Sequence, residues 1–188
     1  MKLVKFILIV LLVVSHTLVF AKDSPRELLD CLPDEIGVFR ADKALRTDKN
    51  VRRKYRFKDI HINVELYEMS VPIEDGYNSK KIQEIKKLHL KSARDTTIKV
   101  GYEGGKAINL VSGGKVKFHF SRFLTTDYTR ILLDLYLTGI KGYVCKIWVT
   151  REGVISFRKE KRIEEAVRVV FSELIKPNPS REAVPDLR

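Results

Sequence analysis

The histidines and the serine that precedes a glycine are the first residues of this sequence that could do chemistry. Beyond residue 21 the histidines are His61, His89 and His119. Ser112 stands before Gly113, but the Gly-x-Ser-x-Gly pattern of a nucleophile elbow is missing. The His-Glu-x-x-His zinc motif and the calcium-loop pattern are missing too. We therefore predict a protein that is not an enzyme and needs no cofactor or metal, with an uncharacterised hydrolase as the outside alternative.

The two cysteines, Cys31 and Cys145, offer a different chemistry. In an oxidising compartment a disulfide between them would close a long loop, which is worth about 4–5 kcal/mol in the chain-entropy model. The alternative is two separately buried thiols that pack as small hydrophobic side chains. Because neither cysteine has a histidine at ligand spacing, a zinc site is not predicted.

Residues 50–70 combine basic and aromatic side chains, which is typical of a nucleic-acid-binding surface or of a half-buried strand. Tyr55 and Phe57 alternate with the cations and fall on the apolar side, whereas a stacking surface needs aromatic and basic side chains together. We predict a hairpin with a turn at Lys58-Asp59 and no nucleic-acid binding. Its outer side offers candidate contacts to an anionic surface: Arg52, Lys54, Arg56 and Lys58.

A second candidate site collects aromatic and basic side chains on the polar side of the predicted sheet. If the strands are neighbours, this side could bind a ligand or partner, since aromatic residues are enriched at binding hot spots. The alternative is that a helix covers these residues and makes them a second core layer. The candidate residues are Tyr67, Lys117, His119, Tyr136, Lys146 and Trp148.

The first 21 residues have the pattern of a secretory signal peptide. Lys2 and Lys5 form a positive start, Phe6 to Val14 is an unbroken apolar run, and cleavage after Ala21 is predicted. A retained membrane anchor is the alternative, although the apolar run is short for a spanning helix. The pattern predicts a secreted or periplasmic protein with no transmembrane segment in the mature chain.

The charge of the chain favours anionic partners. Its formal net charge is +12, and loss of the two leader lysines leaves a mature charge of about +10. Such a charge attracts lipid headgroups, cell-wall polymers and nucleic acid without selecting among them, and it can equally serve solubility. We expect a monomer whose partner is an envelope protein or an anionic surface.

The candidate residues must be positioned by an α+β domain spanning residues 22–176. A capping box at Ser24 to Glu27 starts a short N-terminal helix, and Ile36 to Phe39 suggests a short strand. A central helix follows Ser79, with an apolar face at Ile82, Ile85, Leu88, His89 and Ala93. Gly101, Gly104-Gly105 and Gly113-Gly114 mark a predicted hairpin region in which the glycine pairs are interpreted as turns, and three alternating strands follow as a meander. The last helix runs from about Lys161 to Ile175.

The predicted fold is therefore an antiparallel β-sheet of about six strands, a hairpin then a meander, with the N-terminal, central and C-terminal helices packed on it. Residues 177–188 form a short polar tail that contains proline, and we predict that this tail is disordered.

The chain resembles small exported bacterial proteins of unknown function whose architecture is similar to the PsbP-like α/β/α sandwich. The resemblance lies in Leu32-Pro33, in Ile36 to Arg40, in Ile62 to Tyr67 and in the Asp75 to Ser79 segment before the central helix. It implies an antiparallel sheet with helices on both sides. PsbP itself is an extrinsic partner of a membrane complex, and that role is not carried over to this chain.

Overall fold

The structure, a computed structural model, describes residues 24–42, 45–46, 50–70, 73–94, 98–125, 131–152 and 156–176. The predicted signal peptide and C-terminal tail lie outside the described residues. The described helices are α1 (Pro25–Asp30), α2 (Lys80–Arg94) and α3 (Phe157–Ile175). The described strands are β1 (Glu35–Ile36), β2 (Phe39–Ala41), β3 (Leu45–Arg46), β4 (Asn50–Phe57), β5 (Ile60–Tyr67), β6 (Ile98–Asn109), β7 (Lys115–Thr125), β8 (Leu132–Ile140) and β9 (Tyr143–Arg151).

All nine described strands belong to one sheet, and every pairing is antiparallel. Eight strands follow the order β1-β2-β4-β5-β9-β8-β7-β6, while β3 pairs beside β4. The predicted α+β class with an antiparallel sheet is confirmed. The predicted number of about six strands was too low, partly because the Ile36 to Phe39 segment forms two short strands around a turn at Gly37, where φ is +60°.

The predicted hairpin is confirmed as β4 and β5. Tyr55 pairs with Ile62 and Phe57 with Ile60, so the chain turns at Lys58-Asp59, where Lys58 adopts a φ of +51°. Tyr55 is fully buried, and its hydroxyl donates to the backbone carbonyl of Pro33 at 2.8 Å. This contact ties the segment after α1 to the middle of β4.

Helices cover both faces of the sheet, which gives two hydrophobic layers. On the α3 face, Leu28 and Leu29 of α1 and the buried side of α3 pack in one cluster with Ile62, Ile147 and their neighbours. On the α2 face, Ile82 and Leu90 pack with residues of β7, β8 and β9. Both sides of β8 are therefore largely buried, whereas Trp148 and Thr150 on the α2 side of β9 are only half-buried.

Capping residues explain where α1 and α3 begin. Ser24 accepts from the backbone N–H of Glu27, and the Glu27 side chain accepts from the backbone of Ser24, so the predicted capping box is confirmed. Helix α3 begins at Phe157, earlier than predicted, because Ser156 caps it by accepting from the backbone of Lys159 at 3.3 Å. Leu88, expected on the buried side of α2, is 68% exposed.

The predicted turn at Gly104-Gly105 was wrong, since both residues lie inside strand β6. A side chain at Gly105 would bring its Cβ to 2.8 Å from the hydroxyl oxygen of Tyr77, and at Gly104 to 2.9 Å from that of Tyr102. Glycine at these positions allows the tyrosines to lie directly on the strand. The other glycine pair of the predicted hairpin region, Gly113-Gly114, does form the turn between β6 and β7, and both residues have positive φ.

Residues 73–76, which we call the strap, lie across the end of β8. Gly76 and Gly139 exchange two backbone hydrogen bonds, of 2.9 and 2.8 Å, and Ile73 donates to the carbonyl of Gly142 at 3.2 Å. A Cβ at Gly139 would collide with the backbone of Glu74. The strap thus requires glycine at this point of the sheet.

The sequence left open a disulfide between Cys31 and Cys145, and in the structure both are free thiols. Cys31 is exposed after the end of α1, whereas Cys145 is wholly buried on the α3 face of β9. Burial raises the pKa of the Cys145 thiol well above its usual range.

No helix among the described residues is both long enough and apolar enough to cross a membrane.

Candidate functional site

The α2 face of β4, β5 and β9 carries a grid of polar and basic side chains, which we call the basic face. Register across the three strands fixes three rows. Because residues paired across a sheet point to the same side, each row presents its three side chains together. The rows are Arg52–Glu65–Lys146, Lys54–Asn63–Trp148 and Arg56–His61–Thr150.

The outer part of the basic face is open to solvent. Helix α2 packs against β6 and β8, on the other half of the sheet. The side chains of Arg52 and Arg56 are 46% and 54% exposed. The remaining side chains of the second and third rows are half-buried: Lys54, His61, Asn63, Trp148 and Thr150. A partner can therefore reach these two rows directly.

Glu65 is the buried anion of the first row. Its carboxylate accepts from Arg52 at 2.6 Å and from Lys146 at 2.7 Å, and it also accepts from the hydroxyl of Tyr67. Burial by itself would raise the pKa of this carboxyl, but the hydrogen bonds and positive charges of its neighbours outweigh burial and lower the pKa. Glu65 is therefore ionised at neutral pH and holds two cations in fixed positions.

Aromatic rings lie beside these cations. The ammonium of Lys146 is 4.8 Å from the ring centre of Tyr67 and 5.4 Å from that of Trp148, both within cation–π range. The ring of His89 from α2 meets Trp148 edge-on, with 5.4 Å between ring centres. Trp148 therefore stands at the border between the covered and the open part of the α2 face.

The third row contains His61 next to two cations. Burial, followed by the positive charges of Lys54 and Arg56, lowers the pKa of His61. Its Nδ1 atom is buried and has no hydrogen-bond partner. Arg56 is paired with Asp42 at 2.9 Å, whereas Lys54 has no carboxylate within ion-pair distance among the described residues. Because His61 is neutral and Arg56 is paired with Asp42, Lys54 is the cation of the third row and its surroundings that has no counter-charge among the described residues.

The structure brings together only part of each predicted set. Tyr67, Lys146 and Trp148 adjoin Arg52, Lys54 and Arg56 on one face, although the sequence analysis treated them as two sites. Lys58 lies in the β4–β5 turn, with its ammonium 5.5 Å from the ring centre of Phe57. The aromatic ring beside the cations comes from β9, so alternation within β4 alone could not reveal it.

Tyr136 is a correction to the second predicted set. It pairs with Ile147 and Phe120, which places it on the α3 face, opposite to Trp148. Its ring packs at 5.0 Å from Phe120 and 5.3 Å from Phe118. The sequence suggested a shared face because Tyr136 is polar, but both sides of β8 are buried, so polarity does not mark its side.

His119 and Lys117 lie on the α2 face but at a distance from the basic face, because β8 separates their strand from β9. Lys117 is exposed, whereas His119 is 2% exposed. The Nε2 atom of His119 is 2.9 Å from Oγ of Ser121, which is itself fully buried. Burial, followed by the positive charge of Lys86, lowers the pKa of His119.

This serine–histidine pair lacks the geometry of a nucleophile and its base. In a catalytic triad the carboxylate orients the histidine through the ring nitrogen that does not face the serine. Here Glu103 approaches the same Nε2 atom, at 3.9 Å, and Lys86 pairs with that carboxylate at 2.8 Å. With the serine oxygen buried, the pair is best explained as a satisfied polar contact beneath α2.

A charge network that the sequence analysis missed lies on the α3 face. Asp134 accepts from Arg122 at 2.7 and 3.0 Å and from Arg151 at 2.9 Å, and both arginines also pair with Glu160 of α3. Asp134 and Arg151 are each 2% exposed. The strand pattern gave no signal for this network, because its members come from three strands and a helix.

Among the described residues, no three His, Cys, Asp or Glu side chains are grouped so that they could hold a metal ion. No protein-family model matches the chain. Comparisons with the curated proteins and with the solved structures give no match either. A fold class alone does not define a function, so the residues of the basic face are the basis for a proposal.

Proposed function

We propose that this protein is a non-enzymatic, exported binding protein of the cell envelope, an accessory to an envelope component, and that its basic face binds an anionic partner. The observation that supports the proposal most is the register of β4, β5 and β9, which sets four cations and a tryptophan on one partly open surface. Export is proposed from the pattern of the first 21 residues.

The charge balance of the basic face supports an anionic partner. Arg52, Lys54, Arg56 and Lys146 face two carboxylates among the described residues, Glu65 in the first row and Asp42, which pairs with Arg56 at 2.9 Å. Glu65 fixes Arg52 and Lys146 in place, while the exposed heads of Arg52 and Arg56 and the unpaired Lys54 remain accessible. Cations that are held by neighbours lose less side-chain freedom on binding, which favours affinity.

The shape of the basic face supports an extended partner. Its rows lie on an open sheet surface, and successive cations of β4 are about 7 Å apart, the distance of two residues along a strand. An open, regularly spaced surface suits a polymer or a membrane surface, whereas a small ligand is usually enclosed in a concave pocket. A carrier of a small or polymeric anionic ligand is the alternative, and the polymeric form is the one that this shape favours.

Nucleic acid is the disfavoured anionic polymer. A single strand binds by stacking successive bases on several exposed rings. On the basic face the aromatic rings are Trp148, which is perpendicular to the ring of His89, and Tyr67, whose ring faces Lys146 and whose hydroxyl is held by Glu65. Neither ring is free for a run of stacked bases, so charge and not stacking would dominate binding here.

The test is co-sedimentation of residues 22–188 with anionic liposomes, neutral liposomes and cell-wall polymer, with single-stranded DNA as a further arm, over a salt series. We expect binding to one anionic envelope component that persists at about 0.15 M salt, where exposed charges more than about 8 Å apart are largely screened. Lys54→Gln/Arg56→Gln should weaken it about tenfold, by analogy with charge-assisted contacts.

The matched control is Lys87→Gln/Lys91→Gln, which removes the same charge from two exposed positions of α2. If both double variants lose binding equally, net charge explains the effect and the basic face does not. Loss of all binding at physiological salt would refute an anionic surface as the partner. Tightest binding to the DNA would replace the envelope partner with nucleic acid.

A further inference from the structure

A groove at one end of the sheet lies outside the basic face. It is bounded by the β6–β7 turn, the β8–β9 turn, the strap and the end of α3, and its volume is about 580 Å³. That volume falls within the range of small-molecule sites, roughly 300–1,000 Å³. Nothing in the basic face lines this groove, so it is a separate feature of the molecule.

The floor of the groove is aliphatic. Val116 and Ile140 are buried there, and Leu110 and Ile175 are half-buried at the edge of the same core cluster. These four side chains come from β7, β8, the β6–β7 turn and α3. The end of the α3-face core is thus accessible from the groove.

The rim of the groove is basic. Lys115 and Lys117 are exposed on β7, and within the described part of the chain neither has a carboxylate within ion-pair distance. Lys141 lines the groove from the β8–β9 turn and donates to the backbone carbonyl of Lys176 at 2.6 Å. Among the described lining residues, Asp75 of the strap is the acidic one and Lys115, Lys117 and Lys141 are the basic ones.

We infer that this groove binds an oxyanion, phosphate or carboxylate, that is carried on a short aliphatic chain. The lysines on the rim supply charge-assisted hydrogen bonds to the oxyanion. The aliphatic floor removes the chain of the ligand from water, and burial of two CH₂ groups is by itself worth about tenfold in affinity. A fatty acid and a lipid phosphate share this chemistry, and this inference does not depend on the proposed function of the basic face.

The experiment is a titration of the ¹⁵N-labelled protein with octyl phosphate, octanoate, inorganic phosphate and octyl glucoside, followed by ¹H–¹⁵N NMR. Amide signals of Gly113, Gly114 and Gly139 report on the groove, and the indole signal of Trp148 reports on the basic face. We expect octyl phosphate or octanoate to shift the glycine signals and not the indole signal. Whichever of the two binds more tightly identifies phosphate or carboxylate as the preferred headgroup.

Two variants separate the rim from the floor. Lys115→Gln/Lys117→Gln should weaken octyl phosphate binding about tenfold, while Lys87→Gln/Lys91→Gln leaves it unchanged. Leu110→Ser, in the half-buried turn, should weaken octyl phosphate and leave any binding of inorganic phosphate as it was. Because Leu110 lies outside the strands and helices, the variant is expected to fold, and circular dichroism checks this.

Four results would overturn the inference. Equal affinity for inorganic phosphate and octyl phosphate would show that the floor takes no part. Equal shifts with octyl glucoside would show that the oxyanion is not recognised. Octyl phosphate or octanoate binding that shifts only signals outside the groove, or no binding at millimolar concentration, would remove the site altogether while leaving the proposal for the basic face untouched.

Discussion

Replacing Glu65 by glutamine tests how the basic face is held together. Glu65 is 4% exposed and accepts from Arg52, Lys146 and Tyr67. Lys146 is 9% exposed, so it depends on this carboxylate for its counter-charge. Glu65→Gln keeps the shape of the side chain and one acceptor oxygen but removes the charge.

The expected cost follows from the burial of the pair. Breaking a buried ion pair on one side costs about 3–5 kcal/mol, because the remaining charge stays buried without compensation. Since glutamine still accepts one hydrogen bond, worth about 1 kcal/mol, we expect a loss of about 2–4 kcal/mol in the free energy of unfolding. The loss should appear as a lower urea midpoint with an unchanged slope.

The pH dependence gives a second signature. The pKa of Glu65 is lower in the folded chain than in the unfolded chain, so the stabilisation by its carboxylate is fully present above the unfolded value of about 4.3. It is lost progressively as the pH falls through the lowered folded value. Glu65→Gln has no such ionisation, so the stability difference between the two proteins should shrink below about pH 5.

Urea unfolding followed by circular dichroism, at pH 7 and at several acidic values, measures both effects. The control is Glu165→Gln, because Glu165 is an exposed residue that pairs with Arg168 at 3.6 Å, and its removal should leave the midpoint unchanged. An equal midpoint for Glu65→Gln and Glu165→Gln at pH 7 would refute the account of a buried, mutually dependent charge cluster.

Three further predictions concern other parts of the fold. Gly139→Ala should lower the melting temperature by about 5 °C or more, because its Cβ would collide with the strap. In the native protein, a thiol reagent should modify Cys31 rapidly and Cys145 only after unfolding, since Cys145 is buried and its pKa is raised. Fluorescence of Trp148, the one tryptophan of the chain, should be quenched by protonated His89 with a midpoint below about pH 6.5, because burial lowers the pKa of that histidine.

Each of these predictions has its own control. Gly105→Ala meets only the movable end of the Tyr77 side chain, so it should cost less than Gly139→Ala, and the reverse order would contradict the account of the strap. If native protein has no reactive thiol, the result would contradict an exposed free Cys31 and favour the disulfide alternative that the sequence left open. A quenching transition that persists in His89→Gln would assign it to another group.

The hairpin was predictable because most of its residues alternate. Tyr55 and Phe57 alternate with Lys54 and Arg56, which lie on the outer face, while Arg53 is the charged residue of the inner side and is buried in a pair with Asp34. The turn at Gly104-Gly105 was predicted wrongly because glycine pairs usually mark turns, whereas here they make room for Tyr77 and Tyr102. Tyr77 and Tyr102 come to lie on β6 only in the folded molecule, so the sequence alone does not show why these two positions need glycine.

The site was harder to predict than the fold. The alternation of β4 separates its cations from its own aromatics, so it gave no reason to expect a stacking ring on the basic side. Trp148 reaches that side from β9, through the pairing of β5 with both strands. Tyr136 was misplaced for the opposite reason, because a strand covered on both faces shows no polar side.

The pairing of β5 with β9 also bears on when the molecule can fold. Tyr67 pairs with Val144 and Ile60 with Arg151, so the centre of the sheet closes only between distant parts of the chain. Contacts of such high sequence separation slow folding, because a long loop must be ordered before they form. Until β9 has emerged from the ribosome, the β4–β5 hairpin has no central strand to pair with. If the chain is exported as proposed, this delay keeps the polypeptide unfolded long enough to pass through a translocation channel.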